Sequence, residues 1–189
     1  GEAMNMQPLF VILFSGLLTG NYALQGALGA APFLGFSKSR PKAWAMGAAV
    51  LAVMLLATLI AWPVQKCILE PLSAGYLQIL VFTVIVIAAV YAVDGAARKL
   101  LGESDRHYAP LLAVNSAVLG LTINAMSCAS YGEAMMTALG VGLGFALALA
   151  LMSGVWEKIS NKHVPKAFRG LPIALIAASI LSMAVMAFR

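Results

Sequence analysis

The chain has 189 residues, of which 62% are hydrophobic and only 10% charged. About a quarter of a soluble domain's residues are charged, so this composition excludes one. The net charge of +5 does not imply nucleic acid: the basic residues form no continuous stripe or aromatic-interleaved patch, and no nucleic-acid partner is expected.

Six apolar stretches follow one another, at approximately 8–35, 43–64, 74–94, 109–123, 134–155 and 171–188. Ahead of them, Gly1-Glu-Ala-Met4 reads as the scar of a cleaved tag, and residues 1–6 are set aside as a tag remnant and outer tail. The first apolar run is too long, and lacks the basic start, for a cleavable signal peptide. As one helix its roughly 28 residues would extend about 42 Å, beyond the ~30 Å of hydrocarbon a simple crossing needs. It contains Gly16, Gly20, Gly26, Gly29, Gly35 and Pro32, with polar Asn21 and Gln25 at its middle. The second, third, fifth and sixth stretches have the length of simple crossings. The fourth is short, starts near Pro110, and holds Asn115 and Ser116 in its interior. The first and fourth stretches therefore read as broken helices, whose freed backbone groups must be satisfied inside the protein.

The connectors sort positive charge. The first carries Lys38, Arg40 and Lys42, the third Arg98, Lys99 and Arg106, and the fifth Lys158, Lys162, Lys166 and Arg169. Only Lys66 and Arg189 of the 12 basic residues fall on the other side. Basic loops stay in the cytoplasm during insertion, so both termini are expected outside, with six spans between them. Trp44, Trp62, Trp156, Tyr76 and Tyr131 sit near segment ends, where amphipathic rings anchor in the interface. The basic loops would attract anionic lipid headgroups and could dock a soluble partner protein.

The two odd stretches open the two halves of the chain. Three spans per half make the second half insert inverted relative to the first. The expected fold is therefore all-α and integral to the membrane, a single domain over 7–189 with repeats at about 7–94 and 107–189. Asn21-Tyr-Ala-Leu-Gln-Gly26 echoes Asn115-Ser-Ala-Val-Leu-Gly120, and a second register sets Ala31-Pro-Phe-Leu-Gly35 against Ser116–Gly120. Interrupted segments at corresponding positions of inverted halves point to a site near the membrane midplane, with Asn21, Gln25, Pro32, Asn115 and Ser116 as its candidates. The plainer reading of the glycines is close helix packing, which Gly140, Gly142 and Gly144 with Ala146, Ala148 and Ala150 would also serve.

Several runs resemble a known family. Leu28-Gly-Ala-Ala-Pro-Phe-Leu-Gly-Phe-Ser-Lys38 resembles the first broken helix of the Rnf/Nqr membrane subunits, as Ile68-Leu-Glu-Pro-Leu-Ser-Ala-Gly-Tyr-Leu-Gln78 resembles their next connector region. Asn115-Ser-Ala-Val-Leu-Gly120 is similar to their second broken helix. Val164-Pro-Lys-Ala-Phe-Arg-Gly-Leu-Pro-Ile-Ala-Leu-Ile176 is closer to the A-type Rnf and the counterpart E-type Nqr chains than to their paired paralogues. The resemblance covers about residues 7–188. It implies a six-helix, inverted-repeat subunit of an ion-translocating redox complex in the cytoplasmic membrane of a bacterium or archaeon. There it would pair with a paralogous six-helix chain, among other Rnf/Nqr-like subunits.

In that family each of the two paired chains contributes one cysteine from each broken helix, and four thiolates hold a two-iron, two-sulfur cluster. Here those positions are Ala31 and Ser116. Alanine offers no ligand atom, and a serine hydroxyl is a poor substitute for the thiolate such clusters use. No cofactor is therefore expected on this chain, and electrons would be carried by other subunits. The alternative is a cluster-free transporter that pairs with itself and moves a small solute or ion through the same midplane site.

The remaining reactive groups are few. Cys67 and Cys128 form no CxxC pair and fall in outer connectors, as two incidental thiols or one disulfide. Asp94, closing the third stretch near the cytoplasmic face, is a candidate for an ion path or a simple interfacial acid. Glu70 reads as a loop acid, and Glu133 as a carboxylate favoured by the start of the fifth helix. His107 and His163 are isolated, so no metal site and no catalytic constellation is expected.

Overall fold

In the computed structural model, residues 6–17, 40–101, 115–128, 130–159, 165 and 168–187 are described. Six α-helices run through them: α1 (Met6–Leu17), α2 (Arg40–Val64), α3 (Gln78–Leu101), α4 (Ser116–Ala125), α5 (Tyr131–Lys158) and α6 (Leu171–Met186). No strand occurs among the described residues. Three apolar segments, Ala43–Leu69, Gly75–Ala96 and Tyr131–Lys158, are long enough to cross a membrane. Asn21, Gln25, Ala31, Pro32, His107 and His163 lie outside the described residues, as do residues 1–5.

Helix boundaries depart from the apolar limits where charge is tolerated at helix ends. α2 already begins at Arg40, and α3 continues to Leu101, so that Arg98 and Lys99 fall inside the helix rather than in a connector. The negative end of a helix dipole favours cations in its last turn, so the helix does not stop where the apolar run does. Asp94 accordingly lies within α3 and does not close it. At the far end of α2, Pro63 sits inside the helix. It has no N–H to give, which leaves the Leu59 carbonyl without its helical donor. The chain then widens into a π-type turn over Gln65–Leu69, with the Glu70 N–H donating to the Gln65 carbonyl at 2.9 Å. Glu70 lies exposed in the turn that follows, as a loop acid. Lys66 Nζ donates to its carboxylate at 2.7 Å, one turn earlier on the exposed surface. A short 3₁₀ turn, Gly75–Leu77, leads into α3.

α5 is the hub, packing on α2, α1, α4 and α6. Lipid tails are as apolar as leucine, so helices associate in a membrane through close contact rather than the hydrophobic effect. The small residues of α5 provide that contact. A Cβ on Gly140 would stand 2.7 Å from the Leu13 carbonyl oxygen of α1, and one on Gly16 would stand 3.0 Å from the Val141 nitrogen. Against α2, a Cβ on Gly47 would meet Ala146 Cβ at 2.9 Å, and one on Gly142 would meet Leu51 Cγ at 3.2 Å. The antiparallel register of α2 on α5 persists to the helix ends, where Trp62 and Tyr131 meet edge to face with centroids 5.3 Å apart. Around these crossings Met46, Val50 and Val53 of α2 and Phe145, Leu149 and Met152 of α5 are buried in one core. A second cluster at the Trp62 end joins Ala61, Phe82, Ala125 and Ala134, so four helices converge there.

The outer faces are apolar as well. Ile79, Leu80 and Val84 on α3, with Leu175, Ile180 and Met183 on α6, are exposed, as suits surfaces facing lipid or another membrane protein. Trp44 and Tyr76 are exposed at helix ends, whereas Trp62 and Trp156 are half-buried. Gly170, at φ +90°, adopts the left-handed conformation just before α6 and has nothing near its missing Cβ. That backbone conformation is what requires glycine there.

Gly140→Val should lower thermal stability in detergent by about 1–3 kcal/mol, because the added methyls must displace the α1 backbone. Gly154→Ala, where no atom lies within 4 Å of the added Cβ, should be neutral or gain up to about 1 kcal/mol. Equal melting temperatures for the two variants would rule out the α1–α5 contact.

Candidate functional site

α4 has only 10 residues, about 15 Å of helix and half of what a crossing requires. Its end at Ala125 shares a cluster with Ala61 and Phe82 near one end of the bundle. Its beginning at Ser116 therefore lies about 15 Å inward from that cluster. Asn115 starts the helix there. Its backbone is extended, at φ −78° and ψ 102°, and its Oδ1 accepts a hydrogen bond from the Ala117 N–H at 3.0 Å. The Val118 N–H donates to the Asn115 carbonyl at 3.1 Å. This capping meets the need of a helix whose start is buried: its first N–H groups have no preceding turn to bond.

Asn115 is only 2% exposed. The cap fixes which end of its amide is oxygen, since only oxygen can accept from Ala117. Its Nδ2 is consequently a shielded donor with no hydrogen-bond partner among the described residues, a condition costing about 1–3 kcal/mol if left so. Ser116, next along, is exposed, while Ala117, Val118, Leu121, Thr122 and Ala125 turn inward. Ser116 thus opens on the side of α4 away from α2, α3 and α5. Cys128 lies past the opposite end of α4, its Sγ 3.8 Å from Thr137 Oγ1, and Cys67 is exposed in the turn after α2. Both thiols are free.

Asp94 is 7% exposed and continues the buried face of α3 formed by Phe82, Val86 and Val90. It lies about 18 Å along α3 from Phe82, a depth comparable with that of Asn115 measured from the same cluster. The end of the apolar run suggests a place near a membrane face. The apolar crossing segment ends at Ala96, two residues beyond Asp94, while the helix itself runs on to Leu101. Glu133 occupies the first turn of α5, which Ser130 caps by accepting from the Gly132 N–H at 3.3 Å. Among the described residues no three His, Cys, Asp or Glu side chains are grouped so as to hold a metal ion.

Three polar groups outside the sequence candidates also lack a partner among the described residues: Thr58 Oγ1, Trp62 Nε1 and Gln65 Oε1. Their spacing at i, i+4 and i+7 is the signal that could have singled them out, because it places them on one helical face.

Comparison with known proteins bears on the whole chain. A family model described as "Rnf-Nqr subunit, membrane protein" matches residues 9–189. The chain is 40% identical over 184 residues to the A-type subunit of the Na(+)-translocating ferredoxin:NAD(+) oxidoreductase complex of Acetobacterium woodii, covering 95% of this chain and 96% of that one. It is 38% identical over 187 residues to the A-type subunit of the ion-translocating oxidoreductase complex of Syntrophotalea carbinolica, covering 97% of each. The similarly described chain of Cereibacter sphaeroides is 36% identical over 187 residues, again covering 97% of each.

Asn115→Ala should destabilise the protein by about 1 kcal/mol through loss of the cap, while Asn115→Ser, which keeps an acceptor and drops the shielded amide donor, should recover most of it. Thermal unfolding of the three proteins in one detergent decides this, and a Ser variant no better than Ala would discount the capping role.

Proposed function

The chain belongs to the Rnf–Nqr family of membrane subunits, and on that premise we propose that it is the A-type subunit of an ion-translocating oxidoreductase complex, taking part in electron transport coupled to ion translocation. The observation that carries this reading is end-to-end likeness: 40% identity covering 95% of this chain and 96% of its counterpart in a sodium-translocating complex. Its partners are then the other subunits of that complex, among them a paralogous six-helix chain. The exposed apolar faces of α3 and α6 offer surface for such packing.

Within this function the six helices form two inverted repeats of three, with both termini outside the cytoplasmic membrane. Support comes from the α2–α5 crossing. Gly47 and Leu51 pair with Ala146 and Gly142, so each glycine has its counterpart at a shift of 95 residues (47 to 142, 51 to 146). Any antiparallel pair can show such reciprocity. What carries weight is that the Asn21 and Asn115 echoes are 94 residues apart (21 to 115), one residue from that shift.

The half-length α4 and its buried cap support a midplane site built from Asn115 and Ser116, completed by Asn21, Gln25 and Pro32 of the first broken segment. Helix N-termini at such breaks direct positive dipole ends toward the site. Asp94, a buried acid in the last turn of its apolar segment, we assign to the ion path. Buried membrane acids are costly and are retained where a proton or cation must be met.

A family-type iron–sulfur cluster does not fit the donor set. Ala31 has no ligand atom, Ser116 offers a hydroxyl in place of a thiolate, and Cys128 stands a helix length away from Ser116. This chain accordingly holds no cluster, and other subunits carry the electrons. The same loss of ligands favours a second reading, a self-associating transporter of a small solute or ion.

Purification from the native membrane in mild detergent, without oxygen, separates the two. The complex reading expects a paralogous chain and redox subunits to co-purify, with ion uptake in vesicles impaired by Asp94→Asn although the protein still inserts. Recovery as a homo-oligomer alone would replace the first reading with the second. Stoichiometric iron and acid-labile sulfide on this chain would overturn the cluster-free assignment.

A further inference from the structure

The face of α2 formed by Thr58, Trp62 and Gln65 is polar in a way its surroundings do not use. Thr58 is 0% exposed. The three other threonines of the described helices turn their hydroxyls back to the carbonyl four residues earlier, Thr83 to Ile79 at 2.7 Å, Thr122 to Val118 at 2.8 Å and Thr137 to Glu133 at 2.8 Å. Thr58 does not, and its Oγ1 has no hydrogen-bond partner among the described residues. One turn on, Trp62 Nε1 is a shielded donor without a partner. Almost one turn beyond that, Gln65 Oε1 is a shielded acceptor without one. Buried polar groups left unpaired by protein are as a rule paired by water or an ion.

The spacing suits water. Neighbouring side chains on a helix face stand about 5–6 Å apart at their Cβ atoms, the span one water covers with hydrogen bonds of about 2.8 Å on either side. Hydroxyl, N–H donor and amide oxygen follow one another along the face, so each bridging water finds both an acceptor and a donor. A bare cation would meet the positive edge of the Trp62 N–H at the centre of the row, which disfavours it relative to water. The row ends at the π-type turn Gln65–Leu69, where Cys67 is exposed and Lys66 pairs with Glu70 on the surface.

We propose that Thr58, Trp62 and Gln65 line a single file of water that enters the bundle at the Lys66–Cys67–Glu70 end and reaches about 10 Å inward, to the depth of Thr58. The file gives a proton or small hydrated ion access to that half of the bundle. Its use in ion translocation rests on the function proposed above; the hydration does not.

The test measures which cysteines react with a charged, membrane-impermeant methanethiosulfonate in native membrane vesicles of known sidedness. Thr58→Cys, Gln65→Cys and Val53→Cys are each made in the full chain with Cys67→Ser and Cys128→Ser. The chain retaining Cys67 alone marks the entry side. Val53 is buried among apolar groups on the same helix. A thiol reacts as thiolate, which water favours and an apolar setting suppresses, so Thr58→Cys and Gln65→Cys should react at least about 10-fold faster than Val53→Cys. They should do so from the side that labels Cys67, whichever side that is. A Thr58→Cys rate equal to that of Val53→Cys, or labelling only from the opposite side, overturns the proposal. Should Thr58→Cys fail to accumulate, Trp62 as single tryptophan (Trp44→Phe, Trp156→Phe) gives a second reading. Red-shifted emission whose yield rises in D2O supports the water file, and blue emission unchanged by D2O overturns it. Loss of ion uptake with hydration intact would count against the proposed function alone.

Discussion

The crossings of α5 over α1 and α2, at Gly140 with Gly16 and at Gly142 and Gly47, bring helix backbones against one another. In water, helices can be held together by the larger side chains between them. In hydrocarbon those side chains gain nothing by leaving lipid, and what remains is dispersion between closely fitted surfaces. Distance therefore decides affinity, and a missing Cβ is the means of reducing it. Everything else in the bundle takes its position from these contacts: the antiparallel register of α2 on α5, the pairing of Trp62 with Tyr131, and the cluster around Phe82 into which the end of α4 fits.

A helix that stops halfway needs this rigid frame. The open N–H groups at the start of α4 cannot be left to water, and one side chain, that of Asn115, accepts from Ala117 to begin the helix. Few residue types can do this from a buried position. Asparagine does so at the cost of bringing along an amide donor that the described residues leave unpaired. A helix start with positive dipole, a shielded donor and an exposed Ser116 together make a place where an acceptor is welcome, and this is why a chain poor in charge can still have a polar interior.

Polarity is concentrated in the half of the bundle that holds Thr58, Trp62, Gln65 and the cap at Asn115. The other half of α2 and α5 is packed with Met46, Val50, Leu149 and Met152. Pro63 and the π-type turn that follows loosen the backbone on the polar side, where backbone groups find partners at a surface. Asp94 lies near the boundary between the halves, buried along the same face as Val86 and Val90.

Apolar length and loop charge are enough to determine a helical membrane chain, because hydrocarbon tolerates so few backbone solutions; the family is read from the particular runs that resemble its members. The polar pair Asn115–Ser116 in a short apolar run marks where α4 begins. Three things required the tertiary structure. The apolar run ends at Asp94, but the helix continues to Leu101, past Lys99, whose charge its C-terminal dipole accepts. Glu70 reads as a loop acid and is one, but the widened turn after α2 is what sets Lys66 against it. The spacing of Thr58, Trp62 and Gln65 puts them on one helical face, but a single hydroxyl or amide in an apolar span means little until its neighbours are known. Whether it bonds its own helix, as three other threonines do, or is left without a partner depends on packing against α4 and α5, which no local pattern encodes.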